Sequence, residues 1–267
     1  MMENKELKLN RRKFVEKSAK VIGAGVGASV INTTEALGSI TTSQVSQKPK
    51  SRYLKYKDKL DHCFSAVLQD VMDGMGVRVQ CMDSAIKPID PTMRTWGEAI
   101  TIYVDTVAKV PEQPFQKEME LLDSANEGHI MVVQCNTQQL SAFWGGLLTN
   151  AAVGRKMSGV IIDGGARDYN EIMELKFPTF CKVLSPYDSL GRMDGKEYDV
   201  PIECGGIRVN PGDLIFADID GIVVVPQEIV DEVIEKAWEK IQGESKVREE
   251  LRSGAGVEAT FKKYGIL

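Results

Sequence analysis

The chain has 267 residues, 43% hydrophobic and 27% charged, with a formal net charge of −5. That composition suits a folded protein with one large domain or two small ones. Residues 1–50 carry nine Lys/Arg against four Asp/Glu, a balance of +5, while the remaining 24 against 34 give −10. So acidic a body argues against a nucleic-acid partner, because phosphate contacts need clustered cations.

In chain order, Asn10-Arg11-Arg12-Lys13-Phe14-Val15 comes first, ahead of a weakly apolar run from Val21 to Ile31. Paired arginines before a Gly/Ala-rich segment resemble a twin-arginine export signal, which implies the periplasm; a non-functional leader leaves the protein cytoplasmic. Glu16 follows the motif and no clear A-x-A cleavage site is present, so a plain basic tail is the alternative. The run is well short of the ~20 residues that span a bilayer, and no stable membrane span is expected. The segment 23–29, "GAGVGAS", imitates a dinucleotide loop. Such a loop works only between a strand and a helix, with an acidic residue ~20 positions later. Here a basic leader precedes it and a Ser/Thr/Gln-rich linker follows, so nucleotide binding is not expected.

From residue 51 helical and extended patterns alternate. Ser51 to Leu60, with Arg52, Lys55, Lys57 and Lys59, reads as a solvated helix face. Leu60 to Met75 has helical apolar spacing and stops at Gly74/Gly76. Residues 97–104 alternate as a strand, 118–125 form a short helix, and 129–135 a buried strand. Residues 140–156 read as a helical region with the Gly145-Gly146 pair inside. In 158–168, "SGVIIDGGARD", Val160 to Asp163 read as a strand that two glycines then turn. A helix over 169–176 and a strand over 178–184 follow. Residues 199–226 are short strands broken by Gly-Gly, Asn-Pro-Gly-Asp and Asp-Gly turns. A charged amphipathic helix from Glu228 to about Glu250 precedes a polar tail. The pattern predicts α/β with a mixed sheet, a short-strand C-terminal half and a C-terminal helix.

Five cysteines (63, 81, 135, 181, 204) stand singly, without zinc-ligand spacing, and read as buried thiols. His62 and His129 read as structural.

Two stretches carry chemistry. Gly145-Gly146-Leu147-Leu148 opens a helix, where glycines admit a ligand to the backbone and free N–H groups favour an anion. Close helix packing or a kink beside Trp144 is the alternative. Arg167-Asp168 follows a buried strand, at the strand end where open α/β sheets place ligands. Arg supplies a planar fork for a carboxylate or enolate oxygen, and Asp a hard oxygen for Mg²⁺. Asp168 with Glu171 also resembles a capping box, which accounts for Asp168 but not for Arg167.

The stretches "WGGLLTNAA", "GVIIDGGARD" and "NPGDLIFADIDGIVVVP", with "SAVLQDVMDGMG" and "GEAITI" before them, resemble the RraA-like family, which includes 4-hydroxy-4-methyl-2-oxoglutarate aldolases. The likeness runs from about Phe64 to Lys240. It implies a single swivelling β/β/α-type domain over 51–230, between a leader and linker (1–50) and a C-terminal helix and tail (231–267). A homotrimer or hexamer with sites at subunit boundaries is also implied. Gly145, Gly146, Leu147 and Leu148 would hold a substrate carboxylate through their amides. Arg167 would be the catalytic and substrate-binding cation, and Asp168 would hold a divalent ion, Mg²⁺ or Mn²⁺. Aldolase members commonly carry an acidic residue where this chain has Gly146, which puts the specific aldol activity in question.

The activity implied is a metal-dependent carbon–carbon lyase, an aldolase or oxaloacetate decarboxylase. It would cleave a small 2-oxo acid through a pyruvate enolate. The general base is open: a bound water, Asp70, Asp73 or Glu203. The rival reading is a non-catalytic RraA-type protein-binding regulator, and a weaker one a non-catalytic binder of small carboxylates.

Overall fold

The structure, a computed structural model, describes residues 46–136 and 141–265. The chain divides into Met1–Gln44 and Val45–Leu267. The Arg11-Arg12 leader and the Gly-rich segment 23–29 lie outside the described residues.

A 3-10 turn, Arg52–Tyr56, runs into the single helical turn α1 (Lys57–Leu60). Its cations face carboxylates: Arg52 meets Glu98 at 3.5 Å, Lys55 meets Asp231 at 3.4 Å, and Lys57 and Lys59 pair with Asp61 and Glu235. Helix α2 (Ser65–Gly74) starts after a break at 61–64, later than the apolar spacing suggests. Beyond it come β1 (Lys87–Pro88), β2 (Thr95–Thr106), α3 (Gln116–Ser124), β3 (His129–Asn136), β4 (Ser141–Trp144), α4 (Gly146–Gly154), β5 (Gly159–Ala166), α5 (Tyr169–Leu175) and β6 (Thr179–Leu184). The remaining elements are β7 (Tyr187–Asp188), β8 (Met193–Tyr198), β9 (Ile202–Cys204), β10 (Ile207–Val209), β11 (Leu214–Ala217), β12 (Ile222–Val225), α6 (Val230–Arg252) and α7 (Val257–Tyr264).

Among the described residues, ten strands form one mixed sheet with the path β1-β6-β5-β3-β2-β11-β12; β4 branches from β5 and carries β7, and β8 branches from β2. The strands β2, β3, β5 and β6 are parallel neighbours, whereas β8 and β11 join β2 antiparallel. This is the α/β fold with a mixed sheet that the pattern predicts. The apolar runs of β3, β5 and β11 are continuous because both sheet faces are covered. On β11, Leu214 and Phe216 join the core under α2 and α6, while Ile215 and Ala217 face the other core. Helix α6 supplies Val230, Val233, Ile234, Ala237 and Ile241 to the first of these, a helical stripe.

Three local expectations change. Residues 141–144 form a strand, not the start of a helix: all four are buried, and Trp144 lies opposite Ala166 of β5. Helical spacing in "LSAFW" is overridden by a slot in the sheet that small and aromatic side chains fill. Gly164 and Gly165 do not turn the chain but continue β5 to Ala166, past a register shift against β6. They are needed for close approach: a Cβ at Gly164 would lie 2.7 Å from Cys135 Sγ, and one at Gly165 2.7 Å from the Ser141 carbonyl oxygen. The polar tail contains α7, which follows the Gly254/Gly256 break and is tied back by Lys263 to Glu250 at 3.0 Å.

All five cysteines are free, and Cys63, Cys181 and Cys204 are buried as expected, whereas Cys81 is exposed. No helix of the described residues is long and apolar enough to cross a membrane.

Gly165→Ala is expected to lower the unfolding free energy by about 1–3 kcal/mol, the usual cost of overpacking. Urea denaturation measures it, and an unchanged midpoint would disprove the close approach of β4 to β5.

Candidate active site

The site arises because two parallel strands end at the same level. After Trp144 ends β4, Gly145 caps α4; after Ala166 ends β5, Arg167 and Asp168 lead into α5. The Arg167 N–H donates to the Trp144 carbonyl at 2.9 Å and fixes the two turns side by side. Trp144 is buried, stacks on Phe177, and donates from Nε1 to Thr149 Oγ1 at 2.8 Å. Thr149 Oγ1 in turn donates to the Gly145 carbonyl at 2.9 Å, which fastens the first turn of α4 to the strand.

Both glycines answer to crowding. A Cβ at Gly145 would sit 2.7 Å from Asp168 Oδ2 and 3.1 Å from Arg167 Cγ. One at Gly146 would overlap the Glu171 carboxylate. Glu171 is held there by Asn150, whose Nδ2 donates to Glu171 Oε1 and to the Gly146 carbonyl, both at 2.8 Å. The place where a side chain at 146 would begin is therefore occupied by a carboxylate from α5.

Asp168 does not cap its own helix. Its backbone is left-handed (φ 62°, ψ 39°) and its side chain makes no cap bond, so the capping-box alternative fails. Instead Asp168 Oδ2 accepts the Gly146 N–H at 2.9 Å, across at the start of α4. There the exposed amides and the helix dipole favour a negative charge. That charge-assisted bond helps offset the left-handed conformation, which costs roughly 1 kcal/mol even at an Asp. Arg167 lies between two carboxylates, with Nε 3.7 Å from Asp168 Oδ2 and Nη1 3.4 Å from Asp188 Oδ1. These exposed pairs orient the guanidinium more than they stabilise the fold.

Gly145, Gly146, Leu147, Leu148, Arg167 and Asp168 thus converge on one cleft of about 250 Å³. That is below the roughly 300–1,000 Å³ of drug-sized ligand sites and suits a small acid. Asp188, Ser189, Phe115, Glu118 and Met119 complete its walls. A second opening of about 380 Å³, toward Tyr169, Leu184 and Pro186, shares Arg167 and Asp168. Leu147, at the cleft edge, is 85% exposed.

The candidate bases Asp70, Asp73 and Glu203 do not line the cleft. Asp70 pairs with Lys240 at 2.6 Å, Asp73 accepts from Gln69 Nε2, and Glu203 sits on β9. His62 and His129 are also elsewhere, consistent with structural roles. Two acids that the sequence did not single out do line it, Asp188 and Glu118. Glu118 of α3 is 6% exposed. Burial, with smaller contributions from Asp194 and Asp188, pushes its carboxyl from 4.5 up to about 8. Within "QKEMELLDS" it looks like any surface helix acid; only the packing of α3 reveals it.

The RraA-like model, Aldolase/RraA, matches residues 65–224, more than half of the sequence. The chain belongs to the RraA-like family. Among curated relatives, DlpA of Legionella pneumophila is 28% identical over 207 residues, 77% of this chain, which spans only 33% of that protein. The 4-hydroxy-4-methyl-2-oxoglutarate aldolase of Thermus thermophilus is 29% identical over 108 residues, 40% of this chain and 65% of the relative. Among solved structures, Streptomyces coelicolor RraAS2 superposes with a TM-score of 0.63 at 26% identity. The match covers 72% of this chain and 96% of that one, and RraAS2 is described as an unusual member of the RNase ES inhibitor RraA family. The mixed sheet and C-terminal helices of this RraA-like chain are thus shared with a solved member of the family.

The weakened acidity of Glu118 has a stability consequence. Between pH 4.5 and about 8 the folded chain holds a proton that the unfolded chain has released. Folding is therefore progressively disfavoured as pH rises through that window, by on the order of a few kcal/mol in total. Thermal melts are expected to show wild type losing stability relative to Glu118→Gln from about pH 5 to about pH 9. Parallel pH profiles would contradict the buried, protonated state.

Proposed function

We propose that this chain is a divalent-cation-dependent carbon–carbon lyase that acts on a small 2-oxo acid such as oxaloacetate or 4-hydroxy-4-methyl-2-oxoglutarate. The observation that carries the reading is the meeting of Asp168, Arg167 and the α4 amides at one cleft, with Asp168 turned away from its own helix. The aldolase name of the Thermus relative supports the same class.

The residues fit a sparsely held hard cation. Asp168 gives one oxygen to Gly146, and Oδ1 makes no hydrogen bond among the described residues. Those residues contain no cluster of three or more side chains able to hold a metal. Mg²⁺ or Mn²⁺ bound through one or two carboxylates, with water and substrate oxygens completing the shell, agrees with such a site, whereas a closed protein cage does not. Asp168 would hold the ion, with Glu171 beside it where position 146 lacks a side chain. When bound, the ion supplies Lewis-acid polarisation of the keto group.

The chain's own groups do the rest. The Leu147 and Leu148 amides, at the positive end of α4, bind the substrate carboxylate. Arg167 holds the keto oxygen and stabilises the negative charge that develops on it as the C3–C4 bond breaks. The small cleft limits the water around that charge, which strengthens both contacts.

RraAS2 favours a second reading, a protein-binding platform in which the cleft is unused. The exposed Leu147 at its edge is compatible with that role. Turnover abolished by EDTA and restored by Mg²⁺ separates the two.

Arg167→Ala and Asp168→Ala are each expected to reduce oxaloacetate turnover with Mg²⁺ by ~100-fold or more, the scale of losing one oriented charge stabiliser. Wild-type turnover in both variants would remove the site.

A further inference from the structure

Helix α3 brings to the cleft a carboxyl unlike the others there. Asp168 and Asp188 are solvent-accessible and engaged by Arg167, with side-chain exposures of 46% and 44%. Glu118 is buried, lines the same cleft, and has no hydrogen bond or ion pair to its carboxyl among the described residues. Its neighbour Lys117 does not neutralise it: Nζ reaches Glu120 Oε2 at 3.1 Å and lies over the Tyr198 ring. The charges around it come from several elements. Asp194 on β8 accepts the Phe115 N–H at 2.9 Å, holding the left-handed residue that starts α3. Asp188 ends β7, and Arg167 and Asp168 form the wall after β5. Strand β2, packed under α3, contributes the buried Ile102 and Val104 to the same core. A carboxyl largely withdrawn from water and without a partner is costly to hold as the anion, and such groups cluster at working sites.

We propose that Glu118 is a catalytic residue of this site, the group that delivers a proton to C3 of the enolate. The assignment rests on the lyase reading above and deepens it. In oxaloacetate decarboxylation the C3–C4 bond breaks and CO2 leaves. The electron pair passes into the C2–C3 enolate. The O–H bond of Glu118 then breaks as the C3–H bond forms, and water reprotonates the carboxylate left behind. In aldol cleavage the order reverses. Ionised Glu118 first takes the proton of the substrate's 4-hydroxyl as C3–C4 breaks, and then returns it to C3.

The two reactions therefore need opposite resting forms of one residue. Because burial keeps Glu118 protonated up to about pH 8, the neutral-pH enzyme is set for a 2-oxo acid that loses CO2. The 4-hydroxy acid needs the minor, ionised form.

The test uses the full chain with Mg²⁺, on both substrates, from about pH 6 to about pH 10. Wild-type kcat for decarboxylation is expected to fall as pH rises through 8, while kcat for aldol cleavage rises. Glu118→Gln, which preserves the shape of the protonated acid, is expected to lose ~100-fold or more in kcat, the usual scale of general acid–base catalysis. Its KM should change far less, and the limb near pH 8 should vanish. Glu118→Asp should restore part of the rate with a displaced limb. The variant should also lose exchange of pyruvate methyl protons into D2O, read by NMR, which reports the proton transfer without carbon–carbon cleavage. Glu118→Gln with wild-type kcat, exchange and pH limb overturns the assignment alone. A wild-type chain inactive on both substrates overturns the lyase reading and this assignment with it.

Discussion

The hydrogen bond from the Gly146 amide to Asp168 Oδ2 is the contact on which the cleft depends. It joins the start of one helix to the turn before another, and it forms only because β4 and β5 run parallel and end together. Every other feature follows from that junction. Gly145 lacks a Cβ because Asp168 and Arg167 stand where it would project. Asp168 leaves its own helix uncapped and takes a left-handed backbone in order to reach across. Arg167, tied by its amide to Trp144, is carried to the same edge. The strain at Asp168 and the crowding at two glycines are concentrated where the ligand would bind, which is the usual place for locally unfavourable conformations.

Much of this architecture is written in local pattern. The continuous apolar runs that become β3 and β5, the alternation of β2, and the turn-broken segment that becomes β9 to β12 each identify themselves by period and punctuation. The paired stretches Gly145–Leu148 and Arg167-Asp168 were visible as well, because glycines at a helix start and a charged pair at a strand end are unusual neighbours for purely structural reasons. What was hidden depends on partners distant in the chain. Strand β4 has a helical look, and only the slot beside β5 makes it extended. Gly164 and Gly165 resemble a turn, yet they serve the approach of Cys135 and Ser141. Helix α7 is short and follows two glycines, and the Lys263–Glu250 pair that ties it to α6 has no local signature.

Glu118 is the clearest case of that limit. Acids on helices are common, and nothing in the spacing of α3 distinguishes one that faces solvent from one that lines a cleft. The charged groups that face it across the cleft come from β8, β7 and the turn after β5, all at least 49 residues downstream. The same tertiary packing that hides the residue from pattern reading is what changes its acidity. The charged groups visible in the sequence and the buried one that was not are therefore complementary parts of one electrostatic arrangement: exposed charges that can attract and orient an anion, and a neutral acid that can part with a proton.

The occupation of Gly146's side-chain space by Glu171 couples two positions that lie on different helices. An acidic side chain introduced at 146 would press against a carboxylate already lodged there, so the two sites cannot both be acidic without rearrangement. Substitution histories at 146 and 171 should therefore be linked. A grafted loop that carries an acid at the first position would inherit its intended geometry only if the second were shortened in the same step.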